Sequence, residues 1–313
     1  MSKNNSLSKE SKVITSFDDN KIKEALLYLK DEKILSEFEY NQKINSLNVR
    51  QENIDKRSMY QHDDHEVLIS VINLTKQYKN RKQPAVDNVS FDIRRGEFHV
   101  FIGANGAGKT TTIKAIVGAY ANYSGEILID GHKNSTVAAK RKIGYVPEVA
   151  IFPKEFTTKN YLESMSIMSG LSKSEAKDFS KDTLSKINML ELINKKPSSF
   201  SSGQKKKILL AQAMVHNPDI LIMDEPAANL DPLARLELFK TLDKYKNAGK
   251  SIFISSHILS EVGKYADTAT ILDGGKIVFH GRLDGTQNLD ELYSKHVVLG
   301  SVDTSEAKTK IKK

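Results

Sequence analysis

The hydrophobic residues of this chain form short continuous runs from about Glu66 onward, separated by stretches of helical periodicity. Short apolar runs bounded by glycine or polar clusters are typical of buried strands, whereas apolar spacings of three and four predict amphipathic helices. The predicted strands are Val67–Ile72, Val89–Ile93, Phe98–Ile102, Gly125–Gly131, Lys142–Glu148, Ile220–Glu225, Ser251–His257, Thr268–Asp273 and Lys276–His280. We therefore predict a globular domain over residues 66–283, followed by a polar tail at 284–313.

Helical periodicity is clearest in three segments of that domain: Thr111–Val117, Thr157–Leu192 and Lys205–Val215. The second segment is rich in methionine and has a turn near Gly170. It is long enough to form a separate helical subdomain, which we place at about residues 149–200.

Residues 1–65 differ in character and are predicted to form an extension. The first 16 residues are polar and predicted to be disordered, and residues 48–65 have the composition of a linker. Between them lie two short helical patterns, the second opened by the capping box Ser36–Glu39. The stretch Ala25–Leu47 loosely resembles the two-helix module SHOCT, an interaction element; the alternative is a marginal helical extension without a partner.

One loop carries the strongest chemical signal, Gly103-Ala104-Asn105-Gly106-Ala107-Gly108-Lys109-Thr110. It fits the phosphate-binding pattern G-x-x-x-x-G-K-[ST], between a predicted strand and a predicted helix. Glycines allow the backbone N–H groups to turn inward around an anion, and the helix N-terminus faces the same anion. Lys109 supplies a positive charge for the β and γ phosphates, and the Thr110 hydroxyl can bind the Mg²⁺ that accompanies ATP.

Composition narrows the possible classes of protein. The 313 residues contain no cysteine, which excludes disulfides, cysteine-based zinc sites and thiol nucleophiles. No secretory signal is visible at the first residues, and no apolar run approaches the length of a membrane span. The net charge is +8, and Lys205-Lys206-Lys207 contributes to it. Nucleic acid or an anionic membrane could use this charge, but we favour a solvated basic surface because no aromatic residues interleave it.

Three further features lie at predicted strand ends. Ile220–Met223 is followed by two carboxylates, Asp224 and Glu225, which in a phosphate-loop protein bind the metal and polarise a water molecule. His257 ends another apolar strand and can contact a γ-phosphate there. Tyr78 precedes the phosphate-loop strand and can stack on an adenine, although a tyrosine at this place is more often part of a half-buried strand end.

The segment Phe200-Ser201-Ser202-Gly203-Gln204, here called the signature segment, completes the set. It is similar to the LSGGQ signature of the ATP-binding cassette, the nucleotide-binding domain of ABC transporters, and it precedes the acidic strand as that family requires. The resemblance covers residues 66–283 and is closest to ABC-2-type exporters. It implies an α/β fold: a P-loop NTPase (RecA-like) core with an antiparallel β subdomain and an inserted α-helical subdomain, preceded here by the N-terminal helical extension.

The resemblance also implies a role for each matching residue. Catalysis falls to Glu225 as general base, with His257 as the switch histidine and Lys109. Magnesium ligands would be Thr110, Glu148 and Asp224. The nucleotide would be bound by Tyr78, Gly103, Ala104, Asn105, Gly106, Ala107, Gly108, Lys109, Thr110, Thr111, Glu148, Ser201, Ser202, Gly203, Gln204 and Asp231.

The chain departs from the family pattern at a few of these positions. Phe200 and Ser202 replace the leucine and first glycine of the signature, Glu148 replaces a glutamine, Asn229 stands where glycine is common, and Ala104 where proline is common. We expect activity to survive, because a glutamate can still ligate Mg²⁺. The change in the signature segment puts the tightness of the closed dimer in question.

The implied function is an ATP-binding and ATP-hydrolysing subunit that powers export through an integral membrane permease. Its cofactors would be ATP and Mg²⁺, its second partner another cassette in a homo- or heterodimer, and its location the inner face of the cell membrane, peripheral and cytoplasmic. No direct contact with nucleic acid is expected. The alternatives are a soluble single-cassette ATPase of translation or DNA maintenance and a nucleotide-gated regulatory module without turnover; Glu225 and His257 argue against the latter.

Overall fold

A computed structural model describes residues 66–79, 81–283 and 288–298, together with the isolated helical positions 27 and 30. Apart from those two positions, the predicted N-terminal hairpin that resembles SHOCT lies outside the described residues, as do its linker and residues 299–313. The hairpin and the domain boundaries therefore stay predictions.

One sheet of the described chain is antiparallel and has the strand order β2-β1-β4-β5. Its strands are β1 at Val67–Lys76, β2 at Val86–Arg94, β4 at Ser124–Ile129 and β5 at His132–Lys133. Asp130 and Gly131 form the turn between β4 and β5 with positive φ angles of 52° and 74°. This sheet confirms the expected antiparallel β subdomain.

The second sheet has six strands in the order β10-β9-β3-β8-β7-β6. Neighbouring strands are parallel except for β10, which runs antiparallel to β9. The bounds are β3 at Phe98–Ile102, β6 at Ile143–Val146, β7 at Ile220–Met223, β8 at Ser251–Ser256, β9 at Thr268–Asp273 and β10 at Lys276–Arg282. Every residue of β3, β7 and β8 is buried, which is why apolar residues occur on both faces of these strands rather than on alternate positions; the polar exceptions are His99 in β3 and three serines in β8.

The helices pack on these sheets and on one another. They are α1 at Lys109–Ile116, α2 at Val137–Arg141, α3 at Thr158–Met168, α4 at Lys173–Lys186, α5 at Ser202–Ala213, α6 at Pro232–Asn247, α7 at Leu259–Val262 and α8 at Leu289–Tyr293, with 3₁₀ turns at Leu190–Leu192 and Pro197–Ser199 and a π turn at Ser294–Val298. Helices α3 and α4 meet at Gly170, whose φ of 104° permits the turn, and confirm the helical subdomain. Helix α8 lies in the predicted polar tail, where Leu289 is buried in the main core.

An ion-pair network joins the two sheets near the start of β3. Arg95 pairs with Asp130 of the antiparallel sheet and, at 3.3 Å, with Asp219 before β7. Lys142 lies 3.0 Å from both carboxylates. The four side chains are partly exposed, and the hydrogen bond from Lys142 lowers the pKa of Asp130. The network therefore links the two sheets through ion pairs, which weaken when the two carboxylates are protonated at low pH.

None of the helices among the described residues is both long enough and apolar enough to cross a membrane.

Candidate functional site

The predicted phosphate-binding loop connects β3 to α1, and two of its glycines are required by close backbone approaches. A Cβ on Gly103 would lie 2.4 Å from the carbonyl oxygen of Leu272, and one on Gly108 would lie 2.5 Å from that of Ala85. Gly108 also has a φ of 112° and forms the N-cap of α1. The loop therefore has its shape because surrounding backbone leaves no room for side chains at these positions.

Lys109 begins α1 and its side chain is only 6% exposed. Its ammonium donates hydrogen bonds to the carbonyl oxygens of Gly103 at 2.7 Å and Ala104 at 3.3 Å. A carboxylate oxygen of Glu225 lies 3.3 Å away. The positive charge is thus held against the loop, and an anion in the loop would compete with Glu225 for it.

The acidic pair follows β7 directly, at the carboxyl edge of the parallel sheet. Asp224 is 1% exposed and Glu225 is 8% exposed. Glu225 adopts a φ of 44°, an uncommon value for a residue other than glycine or asparagine. Its second carboxylate oxygen lies 2.8 Å from Nδ1 of His257, which follows β8. The structure therefore brings the three predicted catalytic residues, Lys109, Glu225 and His257, into one cluster.

Ser255 contacts both acidic residues, through the carboxylate of Asp224 and the backbone N–H of Glu225, and was not singled out in the sequence. Its hydroxyl accepts a hydrogen bond from the Glu225 N–H at 2.9 Å and donates one to Asp224 Oδ1 at 2.8 Å. The side chain is completely buried. Ser255 can reach both groups because β8 lies beside β7 in parallel register, with Ile254 opposite Met223. The sequence offered little to distinguish it, because β8 contains three serines, Ser251, Ser255 and Ser256.

An open cavity of about 620 Å³ lies over the loop, large enough for a nucleotide. Ten of the predicted site residues line it: Tyr78, Ala104, Asn105, Gly106, Gly108, Lys109, Thr110, Thr111, Glu148 and Glu225. Gly103, Ala107 and Asp224 are not among the described residues that line it. Two further lining residues, Arg81 and Ala85, were missed by the sequence analysis. Arg81 follows Tyr78 in the same turn, where its amide donates to the Tyr78 carbonyl at 3.0 Å.

The ring of Tyr78 is fixed at one wall of this cavity. Its hydroxyl lies 3.1 Å from the Thr111 hydroxyl and donates to Tyr120 at 3.3 Å. The two tyrosine rings meet edge to face with centroids 6.2 Å apart. The Lys76 ammonium lies 5.5 Å from the Tyr78 centroid and 5.2 Å from the Tyr120 centroid. These contacts orient an aromatic ring beside the loop, as adenine stacking requires.

The signature segment lies elsewhere on the chain. Ser201 is the N-cap of α5 and forms a capping box with Gln204, and Ser201 and Ser202 are exposed. Phe200 is 8% exposed, so it keeps the apolar packing role of the leucine it replaces. Asp231 caps α6 by accepting a hydrogen bond from the Ala234 N–H at 2.9 Å. None of these residues is among the described residues that line the cavity, so one copy of the chain does not bring the signature segment to its own phosphate loop.

Comparison with known proteins identifies close sequence relatives of this chain. The ABC transporter family profile matches residues 86–228. A Mycoplasma pneumoniae protein whose name places it among the ABC transporter ATP-binding proteins is 43% identical, over 69% of this chain and 67% of the relative. The lantibiotic transport ATP-binding protein SrtF of Streptococcus pyogenes is 32% identical, over 74% of this chain and 98% of the relative.

Solved structures agree with this similarity. The structure of an ATP-binding subunit of an ABC transporter superposes with a TM-score of 0.66 and 32% identity, covering 73% of this chain and 98% of that one. A dimeric ATP-binding cassette in a post-hydrolysis state, bound to ADP and Pi, superposes with a TM-score of 0.63 and 26% identity, covering 70% of this chain and all of the other.

Proposed function

The chain belongs to the ABC transporter family, as an ATP-binding and ATP-hydrolysing subunit, and from this premise we propose how its residues perform that function. Two cassettes close on ATP, each supplying the phosphate loop for one nucleotide and the signature segment for the other. Hydrolysis reopens them, and the cycle drives export through an integral membrane permease. The second cassette is a copy of this chain or a related one.

The observation that carries the proposal is the separation of the two halves of the site. The phosphate loop and Glu225 line the cavity, whereas the signature segment lies outside it at the start of α5, with Ser201 and Ser202 exposed. A Cβ on Gly203 would meet only Ala234 Cβ at 3.5 Å and Leu230 at 3.9 Å, which are ordinary contacts. The fold of a single copy therefore does not require a glycine at this position. A close approach by the nucleotide of a second cassette does require one.

Within the closed site we assign the following roles. The loop N–H groups and Lys109 bind the phosphates, and the Tyr78 ring stacks on the adenine. Glu225 orients and polarises the attacking water, and His257 holds the Glu225 carboxylate and reaches the γ-phosphate. Since ATP would compete with Glu225 for Lys109, nucleotide binding would release Glu225 for this role.

The donor set also fits Mg²⁺. Thr110, Glu148 and Asp224 offer a hydroxyl and two carboxylates, which are the hard oxygen ligands that Mg²⁺ prefers. Within the part of the chain that the structure describes, no three His, Cys, Asp or Glu side chains form a metal cage. This agrees with an ion held by few protein ligands and completed by phosphate and water. Bound there, Mg²⁺ would neutralise the negative charge of the phosphates.

Three apolar side chains of the stretch 149–168, which follows Glu148 in the sequence, are unusually exposed and suit a permease contact. Val149 is 64% exposed, and Ile151 and Met168 are each 80% exposed.

The names of the relatives support export. SrtF is named for lantibiotic transport. LnrL of Bacillus subtilis, which is 34% identical over 68% of this chain and 69% of its own length, is named for linearmycin resistance. These names favour a peripheral position at the inner face of the cell membrane over the alternative in translation or DNA maintenance.

The dimer proposal is tested with Glu225→Gln, which should abolish turnover while leaving ATP able to join two copies. We expect ATP-dependent dimers in analytical ultracentrifugation, and none with ADP. Adding Gly203→Asp should prevent dimerisation but leave the fold and the affinity of each monomer for ATP unchanged. Dimers that survive Gly203→Asp would overturn the assigned role of the signature segment.

The permease proposal needs a separate experiment. The full chain is isolated from its own membranes in mild detergent, and the co-purifying proteins are identified by mass spectrometry. We expect a stoichiometric integral membrane protein whose recovery falls when Ile151 and Met168 are replaced by aspartate. Recovery with ribosomes or DNA and no membrane protein would contradict the transporter partner.

A further inference from the structure

The run Lys205-Lys206-Lys207 contributes to the positive charge of the sequence, but its three members have different surroundings in the structure. Lys205 and Lys207 are partly exposed, and Lys207 pairs with Glu237 of α6 at 2.8 Å. Lys206 is 6% exposed and points into the protein. A buried lysine is unusual unless it is paired or has a specific partner, so Lys206 needs an explanation other than solubility.

The partners of Lys206 are two consecutive backbone carbonyls. Its ammonium donates hydrogen bonds to the Pro147 and Glu148 oxygens, both at 3.0 Å. These carbonyls belong to the segment that leaves β6 and places Glu148 at the cavity. Burial lowers the pKa of Lys206, and the nearby Asp224 and Glu148 charges oppose that shift. The contact therefore places a buried cation close to the carboxylates of Asp224 and Glu148.

Lys206 thus connects two parts of the site that are far apart in the sequence. It lies one turn after Gly203 on α5, the helix that begins with the signature segment, and it holds the peptide carbonyls on both sides of the Glu148 Cα. A hydrogen bond from a charged donor is stronger and more directional than a neutral one. A rigid helix joined in this way to a loop fixes the loop's position relative to the helix N-terminus.

We propose that Lys206 is a positioning residue that couples the signature segment of α5 to Glu148. When the signature segment closes on ATP, Lys206 transmits the movement to Glu148. The inference rests on the proposed function and deepens it. Lys206 touches neither nucleotide nor the reacting atoms. Its effect on turnover passes through the placement of Glu148.

The variant Lys206→Met keeps an unbranched apolar stem and removes the donor. We expect kcat for ATP to fall about tenfold, because a small misplacement of a site group is enough for such a loss. The affinity of the monomer for ATP without Mg²⁺, measured by a fluorescent analogue, should change less than about twofold, since the loop and Tyr78 are untouched. Lys206→Arg, which retains charge and donors, should recover at least about a third of kcat. Lys207→Met is the matched control and should leave kcat unchanged.

A double-mutant cycle separates positioning from a general loss of packing. If Lys206 acts through Glu148, then Lys206→Met should lower kcat little further once Glu148→Ala is present. The ATP-driven dimerisation of the Glu225→Gln chain gives a second cycle that does not depend on turnover. Additive losses in both cycles, or wild-type kcat in Lys206→Met, would overturn the inference.

Two controls keep the outcome decisive. Should Lys206→Met fail to fold, Lys206→Gln, which retains one amide donor, carries the same cycles with the same criteria. Wild-type chain that neither hydrolyses ATP nor dimerises would count against the proposed function itself. If the wild-type chain hydrolyses ATP and dimerises while Lys206→Met behaves like wild type, only the coupling role of Lys206 is overturned.

Discussion

Replacing Ser255 with alanine tests whether one buried hydroxyl positions both acidic residues of the candidate active site, Asp224 through its carboxylate and Glu225 through its backbone N–H. The hydroxyl accepts from the Glu225 N–H at 2.9 Å and donates to Asp224 at 2.8 Å. Glu225 has a φ of 44°, so its backbone adopts a conformation that needs support from its surroundings. Alanine removes both hydrogen bonds and adds no atom that could clash.

The size of the effect follows from those two bonds. A buried N–H left without an acceptor costs about 1–3 kcal/mol, and losing a hydrogen bond to a charged group costs a similar amount. Because both losses come from one hydroxyl and overlap, we expect a total of about 3 kcal/mol. For a domain of this size that loss lowers Tm by about 6–12 °C. Relaxation of Glu225 should also lower kcat by about 10- to 100-fold, with a much smaller change in KM for ATP.

Ser251→Ala is the matched control on the same strand. Ser251 is 1% exposed and its hydroxyl accepts from the Gly96 N–H at 2.9 Å, at the end of β8 away from the carboxylates. It should lower Tm by several degrees but leave kcat within about twofold of wild type. Thermal melts by circular dichroism and steady-state ATPase assays give both quantities. Equal losses of kcat in the two variants would refute a positioning role for Ser255.

Three other perturbations have defined outcomes. Gly103→Ala places a Cβ 2.4 Å from the Leu272 carbonyl oxygen, so ATP binding by calorimetry should be lost or the chain should misfold; wild-type affinity would contradict the loop geometry. Because the hydrogen bond from Lys142 lowers the pKa of Asp130, its charge stabilises the fold above about pH 4 and that contribution is lost as the pH falls further. Asp130→Asn should therefore lower Tm by about 2–4 °C at pH 7 and by less at pH 3, because part of the stabilising charge is lost below the ordinary pKa of an aspartate; an equal difference at both pH values would refute this reasoning. Tyr78→Ala should weaken ATP binding by about tenfold and Tyr78→Phe far less, because the aromatic ring stacks on the adenine. Equal losses of ATP affinity in the two variants would contradict the stacking role.

Local patterns in the sequence were sufficient for the parts of this protein that short segments specify. The loop Gly103–Thr110 lies between the predicted strand and helix, and β3 and β9 have the predicted bounds. Buried parallel strands carry apolar residues on both faces, and Thr157, where the second helical segment was predicted to begin, caps α3 through a contact three residues away. Such features are encoded within a few neighbouring residues, which is why they could be predicted.

Helix boundaries and some whole helices were less predictable, because they depend on contacts outside their own segment. The helix predicted at Lys205–Val215 begins at Ser202, because the signature segment itself forms its first turn. Helices α2 and α6 were not predicted, and α8 lies in a stretch described as polar because one buried leucine is a weak signal. Their positions depend on packing against elements that are distant in the sequence.

Tertiary structure alone decided which side chains support the site. Ser255 meets Asp224 because β7 and β8 pair in a particular register, and a shift of one residue would point the hydroxyl away from the Asp224 carboxylate and the Glu225 N–H. Lys206 resembles its two neighbours in the sequence, and only the packing of α5 against the end of β6 buries it beneath Glu148. The residues of a segment determine which chemistry it can perform. The side chains that orient those residues come from segments 30 to 60 positions away: Ser255 is 31 residues from Asp224, and Lys206 is 58 residues from Glu148.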